Sequence, residues 1–333
     1  MSAKVYFEDD SFRYLHQQIR KARASQLFIL ADAKTKKHAL PLLEQAGIKG
    51  QVIYVPAGEE SKSIESCLGI WNSLMKHQAD RQSLLINVGG GMITDLGGFA
   101  ASVYKRGIRF IHVPTSLLGM VDAGIGGKTG INVSFLKNNI GNFTEPESIH
   151  IYPLFCQTLP QRVYRAGEAE MIKHFLIADR QRFLHFGKES ANNLYSSIRQ
   201  AVKIKQDIVA KDPLDKGYRQ VLNAGHTIGH AIETLYLKQK KNILHGEAVA
   251  SGLYYEAQIS KAIGLLPASE WELIETVLLR HFRIHRIADK KQLVSFMLQD
   301  KKNKNGRVIM ALPERVGRVN PQVELTTDQL VFY

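Results

Sequence analysis

The chain has 333 residues, 44% hydrophobic, 8% aromatic and 23% charged, which excludes disordered, collagen-like and coiled-coil chains and leaves room for two domains. Its formal net charge of +13 invites an anionic partner: nucleic acid, a membrane surface or an anionic substrate. Two cysteines, Cys67 and Cys156, are too few for a disulfide framework or a Cys-based zinc module and fit a reducing, cytoplasmic setting. Met1 leads into acidic Glu8-Asp9-Asp10 without a basic-then-apolar signal segment, and no apolar run is long enough to predict a membrane span. In chain order, residues 27–31 read as a strand and about 35–46 as a helix. Residues 51–55 are a second strand, and 61–77 carry Ile64, Leu68, Trp71 and Met75 at helical spacing. Residues 83–88 and 109–113 are two more strands. This alternation predicts a parallel sheet with helices on its faces. From about 160 onward the pattern turns helical, over about 160–176, 190–211, 217–236, 246–263 and 270–281, with one late strand at 308–312. The expected organisation is an α/β domain over 1–155 and a mostly α-helical domain over 156–333.

Eleven of the 26 glycines fall between residues 89 and 130, so unusual backbone geometry concentrates there. Val88-Gly-Gly-Gly-Met-Ile-Thr-Asp95 follows a strand and opens a helix. Lacking Cβ atoms, such a turn lets backbone approach a phosphate, and the free helix N-terminal amides favour an anion. It is neither the G-x-G-x-x-G fingerprint nor a P-loop, and a tight turn could need glycine for packing alone. A second cluster, Gly124-Ile-Gly-Gly-Lys-Thr-Gly130, holds a lysine but no complete Walker pattern. Together the two clusters point to an anionic ligand.

In the helical half, Arg219, Asn223, His226 and His230 sit at i, i+4, i+7 and i+11 of the helix predicted over 217–236, which stacks them on one stripe. Val221, Ile228, Ala231, Ile232 and Leu235 then lie on the opposite face. Gly225 and Gly229 lower helix propensity by about 1 kcal/mol each, which implies close approach by a ligand or a neighbouring backbone. His226 and His230, four apart, could share a metal. His245, in Leu244-His-Gly-Glu247, and Glu170, with Lys173 one turn on, are further candidates. Spacing alone leaves open which three would bind. Lys205 sits within the apolar stripe of Ile198, Val202, Ile208 and Val209, either snorkelling to the surface or pointing into a polar cleft.

Taken together, these segments resemble the 3-dehydroquinate synthase family, within the sugar phosphate cyclases. The resemblance runs from about residue 27 to 317. It is carried by Pro56-Ala-Gly-Glu-Glu-Ser-Lys62, Gly89-Gly-Gly-Met-Ile-Thr-Asp95, Tyr104-Lys-Arg-Gly107, Val113-Pro-Thr-Ser-Leu-Leu118 and Val121-Asp-Ala-Gly-Ile-Gly-Gly-Lys-Thr129. It continues through Lys137-Asn-Asn-Ile-Gly141, Ala169-Glu-Met-Ile-Lys173, Asn223-Ala-Gly-His-Thr-Ile-Gly-His230, Leu244-His-Gly-Glu247 and Asp300-Lys-Lys302. The order and spacing of these pieces are specific where each alone is weak. The resemblance implies a Rossmann-like NAD domain, a C-terminal all-α domain and an active site between them. It implies that a metal, Zn²⁺ or Co²⁺, takes Glu170, His226 and His245, while His230 meets the substrate phosphate. Asp122, Lys128, Lys173, Lys205, Arg219, Asn223, Asn138 and Lys302 would be catalytic or substrate contacts, and Arg106 would reach a neighbouring subunit's phosphate site in a homodimer. NAD would be held by Glu59, Lys62, Gly90, Gly91, Asp95, Thr115, Ser116, Lys128, Lys137 and Thr158, with Asp32 near the adenosine ribose.

The implied reaction turns the phosphorylated seven-carbon keto acid DAHP into 3-dehydroquinate and phosphate. It runs by transient NAD oxidation, phosphate elimination, re-reduction and intramolecular aldol closure. Ala123-Gly124, Val163 and Lys34 depart from residues common in the family, which bears on the fine NAD contacts more than on the chemistry. Lys205 and Arg219 favour a carboxylate-bearing substrate over other sugar phosphates. The nearest rival is an NAD-linked polyol dehydrogenase of the glycerol dehydrogenase type. Nucleic acid binding is not expected, because the basic residues are dispersed and no recognition motif occurs.

Overall fold

The computed structural model describes every residue except 1–2, 134–135, 188–191, 288, 299–306, 331 and 333. The chain divides into two units, Met1–Pro160 and Gln161–Tyr333. The division falls after residue 160, not 155, because the turn Pro153–Thr158 packs into the first unit. There the Phe155 ring lies 6.2 Å from that of Phe12, and Cys156 Sγ lies 3.8 Å from Met120 Sδ.

The first unit contains β1 (Lys4–Phe7), α1 (Arg13–Ala22), β2 (Leu27–Asp32), α2 (Ala33–His38), α3 (Leu40–Gln45), β3 (Gln51–Val55) and α4 (Ile64–Lys76). It continues with β4 (Leu84–Gly89), α5 (Gly91–Val103), β5 (Arg109–Pro114), β6 (Lys128–Val133), β7 (Leu136–Phe143) and β8 (Ser148–Ile151). Six strands form one sheet in the order β1-β8-β5-β4-β2-β3, every neighbouring pair parallel. β6 and β7 form a separate antiparallel hairpin. Because helices cover both faces of such a sheet, its central strands are continuous apolar runs; all of β4 is buried. The helix expected over 35–46 is two helices, since Pro41 opens α3 and cannot donate an N–H to continue α2. Next to the edge strand β1, His150 on β8 takes Ser148 Oγ at 2.8 Å on one ring nitrogen and Glu8 Oε1 at 2.6 Å on the other. This buried polar chain ties the residue following β1 to β8.

The second unit contains α6 (Gln161–Ala178), α7 (Arg180–Leu184), α8 (Asn192–Lys211), a 3₁₀ turn at Tyr218–Asn223, α9 (His226–Lys238), α10 (His245–Ala262), α11 (Ala268–His281) and α12 (Lys290–Met297). It ends in an antiparallel hairpin, β9 (Val308–Arg315) and β10 (Arg318–Leu325). The unit is therefore helical with one hairpin rather than all-α. Val308, Met310, Leu312 and Leu325 join Ile228, Ile232, Tyr255 and Ile259 in one core. The expected helix over 217–236 is interrupted, because Ala224 is extended and Gly225 adopts φ 79°. Among the described residues, no helix is long and apolar enough to cross a membrane.

Candidate functional site

In the first unit, β2 has β3 on one side and β4 on the other, so the order of strands reverses there. Open parallel sheets bind ligands outside the C-terminal ends of the strands at such a reversal. Asp32 ends β2 and Gly89 ends β4. Gly90 precedes α5 in an extended conformation, and no side chain caps that helix, which leaves first-turn amides able to meet an anion.

The three consecutive glycines have different neighbours. A Cβ on Gly89 would stand 2.4 Å from the Ile93 side chain, and one on Gly91 2.9 Å from Ala123 Cβ, so packing requires both. A Cβ on Gly90 would approach Ser116 Oγ at 3.1 Å. Thr115 N–H donates to Gly89 O at 2.9 Å, so Gly90, Gly91, Thr115 and Ser116 gather at the ends of β4 and β5. The Asp32 carboxylate accepts the N–H groups of Lys34 and Thr35 at 2.9 and 2.8 Å, capping α2. The second glycine cluster leads into the hairpin strand β6 rather than a helix, so no helix N-terminal amides stand behind Lys128, which is exposed.

Beside this turn lies a polar network. Lys62 is buried, with Nζ 2.5 Å from Asp95 Oδ2 and hydrogen-bonded to Asn138 Oδ1. Burial disfavours its charge, but Asp95 and Glu59 outweigh that and hold its pKa above the ordinary value. Asn132, which the sequence reading missed, binds the parts together. Its Nδ2 donates to Glu59 Oε1 at 3.1 Å, its Oδ1 accepts Asn138 N–H at 2.9 Å, and its own N–H donates to Lys62 O at 2.8 Å. Glu59, Lys62, Asp95 and Asn138 thus share one network, which crosses the division between expected NAD and substrate contacts. The Thr158 hydroxyl donates to Phe155 O at 3.0 Å. Asp122 is half-buried in the wide helical turn Gly119–Ala123. Lys137 is exposed, as is Arg106, which follows Lys105 in left-handed conformation.

In the second unit three helices bring Glu170, His226 and His245 together, with one donor atom from each all within 4.8 Å of one another. Glu170 is fully buried on α6. Its Oε2 is paired with Lys173 Nζ, and its Oε1 lies 3.6 Å from His226 Nε2 and 3.3 Å from His245 Nε2. His226 Nδ1 is 3.1 Å from Ala224 O, and His245 Nδ1 is 3.3 Å from Glu233 Oε2. A carbonyl and a carboxylate only accept, so each Nδ1 carries hydrogen and each Nε2 is the atom turned to Glu170. Burial, then Lys173, drives the His226 pKa well below its ordinary value. For His245, burial opposes charge, but Glu170 and Glu233 prevail and push the pKa up to about 10. Two imidazole nitrogens and a carboxylate oxygen converging on one point are the protein donors of a catalytic zinc site, so these residues fit a divalent cation.

Glycines set these approaches. A Cβ on Gly246 would fall 1.9 Å from Ala166 O, where α10 meets α6, and one on Gly252 would fall 1.9 Å from Gly225 O, where α10 meets α9. The glycines around His226 therefore answer to neighbouring backbone. The stripe of Arg219, Asn223, His226 and His230 does not exist as one helical face, because the chain breaks at Ala224–Gly225. His230 is exposed, its ring 5.3 Å from that of His226, and its donor atom groups with Glu233 and His245 rather than with Glu170. Arg219 is buried and donates from Nη1 to Pro213 O at 2.8 Å. Asn223 ends the 3₁₀ turn, against which α6 and α8 both pack. Lys205 on α8 is buried, so its ammonium does not snorkel into solvent. Lys302 lies outside the described residues.

Sequence reasoning also missed Glu233 and Glu256, the latter accepting Gly225 N–H at 2.5 Å and Ile228 N–H at 3.1 Å. Their one signal is an acidic residue inside an otherwise apolar helical stripe.

Comparison with known proteins gives a consistent picture. Residues 52–166 match the 3-dehydroquinate synthase N-terminal family model and 167–303 the C-terminal one. A 3-dehydroquinate synthase of Parabacteroides distasonis is 38% identical, covering 99% of this chain and 97% of the relative. One from Nitratiruptor sp. is 40% identical over 97% and 95%. Among solved structures, a 2-deoxy-scyllo-inosose synthase complexed with carbaglucose-6-phosphate, NAD⁺ and Co²⁺ aligns at a TM-score of 0.86 and 22% identity, covering 99% of this chain and 97% of that one. A 2-epi-5-epi-valiolone synthase from Streptomyces hygroscopicus with NAD⁺ and Zn²⁺ bound aligns at 0.85 and 25% identity, over 99% and 95%. A probable glycerol dehydrogenase of Sinorhizobium meliloti aligns at only 0.59 and 15%, over 98% and 94%. With both family models matched end to end and relatives alike over nearly their whole length, the chain belongs to the 3-dehydroquinate synthase family.

Proposed function

We propose that the chain converts DAHP into 3-dehydroquinate and phosphate, with NAD held at the β2/β4 reversal and a divalent metal, Zn²⁺ or Co²⁺, held by Glu170, His226 and His245. The observation that carries the reading is the convergence of Glu170 Oε1 with two Nε2 atoms whose rings are each fixed through Nδ1. When bound, the metal supplies a Lewis acid for a substrate hydroxyl and NAD a reversible hydride acceptor. Lys173 pairs with Glu170 Oε2, so Oε1 is the carboxylate oxygen that faces the two imidazoles. Arg219 and Lys205 are buried cations of a kind that suits the carboxylate of the keto acid, and they favour it over sugar phosphates without one. His230 is exposed beside the other imidazoles and can hold or pass a proton at a phosphate oxygen. Lys62 and Asp95 anchor the hairpin residue Asn138 and so orient that wall of the NAD site. Asp122, Asn223, Lys128 and, by sequence, Lys302 are further substrate contacts, and Asp32, Glu59, Gly90, Gly91, Thr115, Ser116, Lys137 and Thr158 further NAD contacts.

The same reading makes the enzyme a cytoplasmic lyase of the shikimate pathway working as a homodimer, with Arg106 reaching the neighbouring phosphate site. Exposed Ile64, Leu68 and Met75 on α4 with Ile140 and Phe143 on β7 supply apolar surface suited to a second copy. The test is phosphate release from DAHP with catalytic NAD⁺ and Zn²⁺ or Co²⁺. Phosphate without net NADH is expected; stoichiometric NADH from a simple alcohol would return the dehydrogenase reading.

A further inference from the structure

Helices α9 and α10 each carry one histidine of the metal set and, two and three turns further on respectively, a buried acidic residue that touches the other helix. Glu233 lies two turns after His226 on α9, is buried, and places Oε2 3.3 Å from Nδ1 of His245 on α10. Glu256 lies on α10, is equally buried, and accepts the N–H groups of Gly225 and Ile228, which flank His226. α9 has no side-chain cap of its own, and His226 is its first residue, so Glu256 supplies from α10 the missing acceptor for that helix end. The arrangement is reciprocal. Each helix holds the histidine of the other.

We propose that Glu233 and Glu256 are positioning residues for the metal ligands. Glu233 fixes the ring and tautomer of His245, and Glu256 fixes the helix start that aims His226. This rests on the reading of Glu170, His226 and His245 as metal ligands. Neither carboxylate needs to touch metal or substrate. A carboxylate on Nδ1–H leaves Nε2 as the ligand atom and makes it more basic, and loss of such a partner costs about 10–100-fold in metal affinity. The glycine contacts make the brace stiff, since Gly225 and Gly252 bring the two backbones together where the carboxylates act.

The probe is Co²⁺ alone, titrated into the full metal-free chain and followed by visible ligand-field absorption and chelator competition. Wild type should bind one Co²⁺, and Glu170→Ala should abolish that band. Glu233→Gln should weaken Co²⁺ by about 10–100-fold and shift the band while circular dichroism stays unchanged. Glu233→Asp should recover part of the affinity. Glu256→Gln should also weaken Co²⁺, with a lower melting temperature. If Glu256→Gln does not fold, Glu256→Asp, which keeps the charge but shortens the reach, replaces it, and the Glu233 variants decide in either case.

Binding of Co²⁺ by Glu233→Gln within twofold of wild type, with an unchanged band, overturns the proposal while leaving the metal site intact. Loss of a second Co²⁺ equivalent in Glu233→Gln overturns it too, because Glu233 would then be a ligand beside His230 and His245, which also lie within 4.8 Å. Co²⁺ binding that ignores Glu170→Ala defeats the metal reading itself.

Discussion

The glycine-rich turn after β4 and the crossing of α9 with α10 look alike in sequence, and the structure separates them. At the turn, an added Cβ meets side chains: Ile93 beside Gly89, Ala123 beside Gly91 and the Ser116 hydroxyl beside Gly90. At the crossing it meets main chain, 1.9 Å from Gly225 O for Gly252, and the same holds where α10 meets α6, 1.9 Å from Ala166 O for Gly246. A side chain can yield by turning; a helix backbone yields only by moving the helix. In the first region only Gly90 meets a group that can turn aside, the Ser116 hydroxyl, so Gly89 and Gly91 serve packing while Gly90 leaves a surface that a ligand can approach. In the second, glycine fixes how near three ligand-bearing helices come to one another.

The largest effect expected from this contrast is at Gly252. Gly252→Ala must push α10 off α9, so it should cost about 3 kcal/mol or more and remove Co²⁺ binding together with activity. Chemical denaturation and a Co²⁺ titration on the same sample check both; a stable variant with wild-type metal affinity would dissolve the distinction. Next comes the metal set itself. His245→Ala should lose metal and lower kcat by about 10²–10³-fold or more, whereas His230→Ala should keep the metal and slow phosphate release. Metal analysis after gel filtration separates the two, and metal loss in His230→Ala would restore the pairing of His226 with His230.

Acid sharpens the comparison differently, since the first unit buries histidines that have no adjoining metal set among the described residues. His112 on β5 is buried beside Asn87 of β4, whose Nδ2 lies 3.2 Å from its Nδ1, and burial lowers its pKa from 6.5 to about 3. The folded value lies below the unfolded one, so the unfolded chain takes up the extra proton. Stability from this source is whole above pH 6.5 and falls as the pH drops towards 3. The loss should reach about 3–5 kcal/mol at the acid end. Burial lowers His150 as well, which adds in the same direction. The chain has two tryptophans, Trp71 in the first unit and Trp271 in the second. A Trp271→Phe variant thus reports acid unfolding of the first unit by fluorescence. An acid limb that shrinks in His112→Gln, leaving the part due to His150, is expected; an unchanged limb would assign it elsewhere.

What could be read from sequence follows from which interactions are local. Strands β2, β3, β4 and β5 announce themselves as apolar runs because a two-sided sheet demands them. β8 does not, since its Ser148 and His150 are polar and are satisfied only by each other and by Glu8, 142 residues away from His150. Pro41 was a visible signal for splitting α2 from α3. The break at Gly225 was disguised by a stripe of functional residues that kept helical spacing across it. Glu170, His226 and His245 come from three helices, so spacing left the trio open and the family resemblance supplied it. Asn132, Glu233 and Glu256 escaped both routes. Each acts on a partner away from it in the chain, and the one local signal, an acidic residue inside the apolar stripe at Glu233 and Glu256, does not say what that partner is.

The smallest effect expected is the most discriminating. Gly90 has φ −71° and ψ −172°, extended backbone that any residue adopts, and an added Cβ at 3.1 Å from Ser116 Oγ asks only that a hydroxyl turn. Gly90→Ala should therefore change stability by less than about 1 kcal/mol, where Gly89→Ala, driven into Ile93 at 2.4 Å, should not fold normally. The methyl group would nevertheless stand before the first-turn amides of α5. A pyrophosphate held there should lose about 1.4 kcal/mol, a tenfold rise in the Kd for NAD, with Co²⁺ affinity unchanged. Calorimetric titration with NAD⁺ measures it directly. Unchanged NAD affinity in a folded Gly90→Ala chain would mean that all three glycines serve packing, and the turn would then differ from the helix crossing only in what the glycines touch.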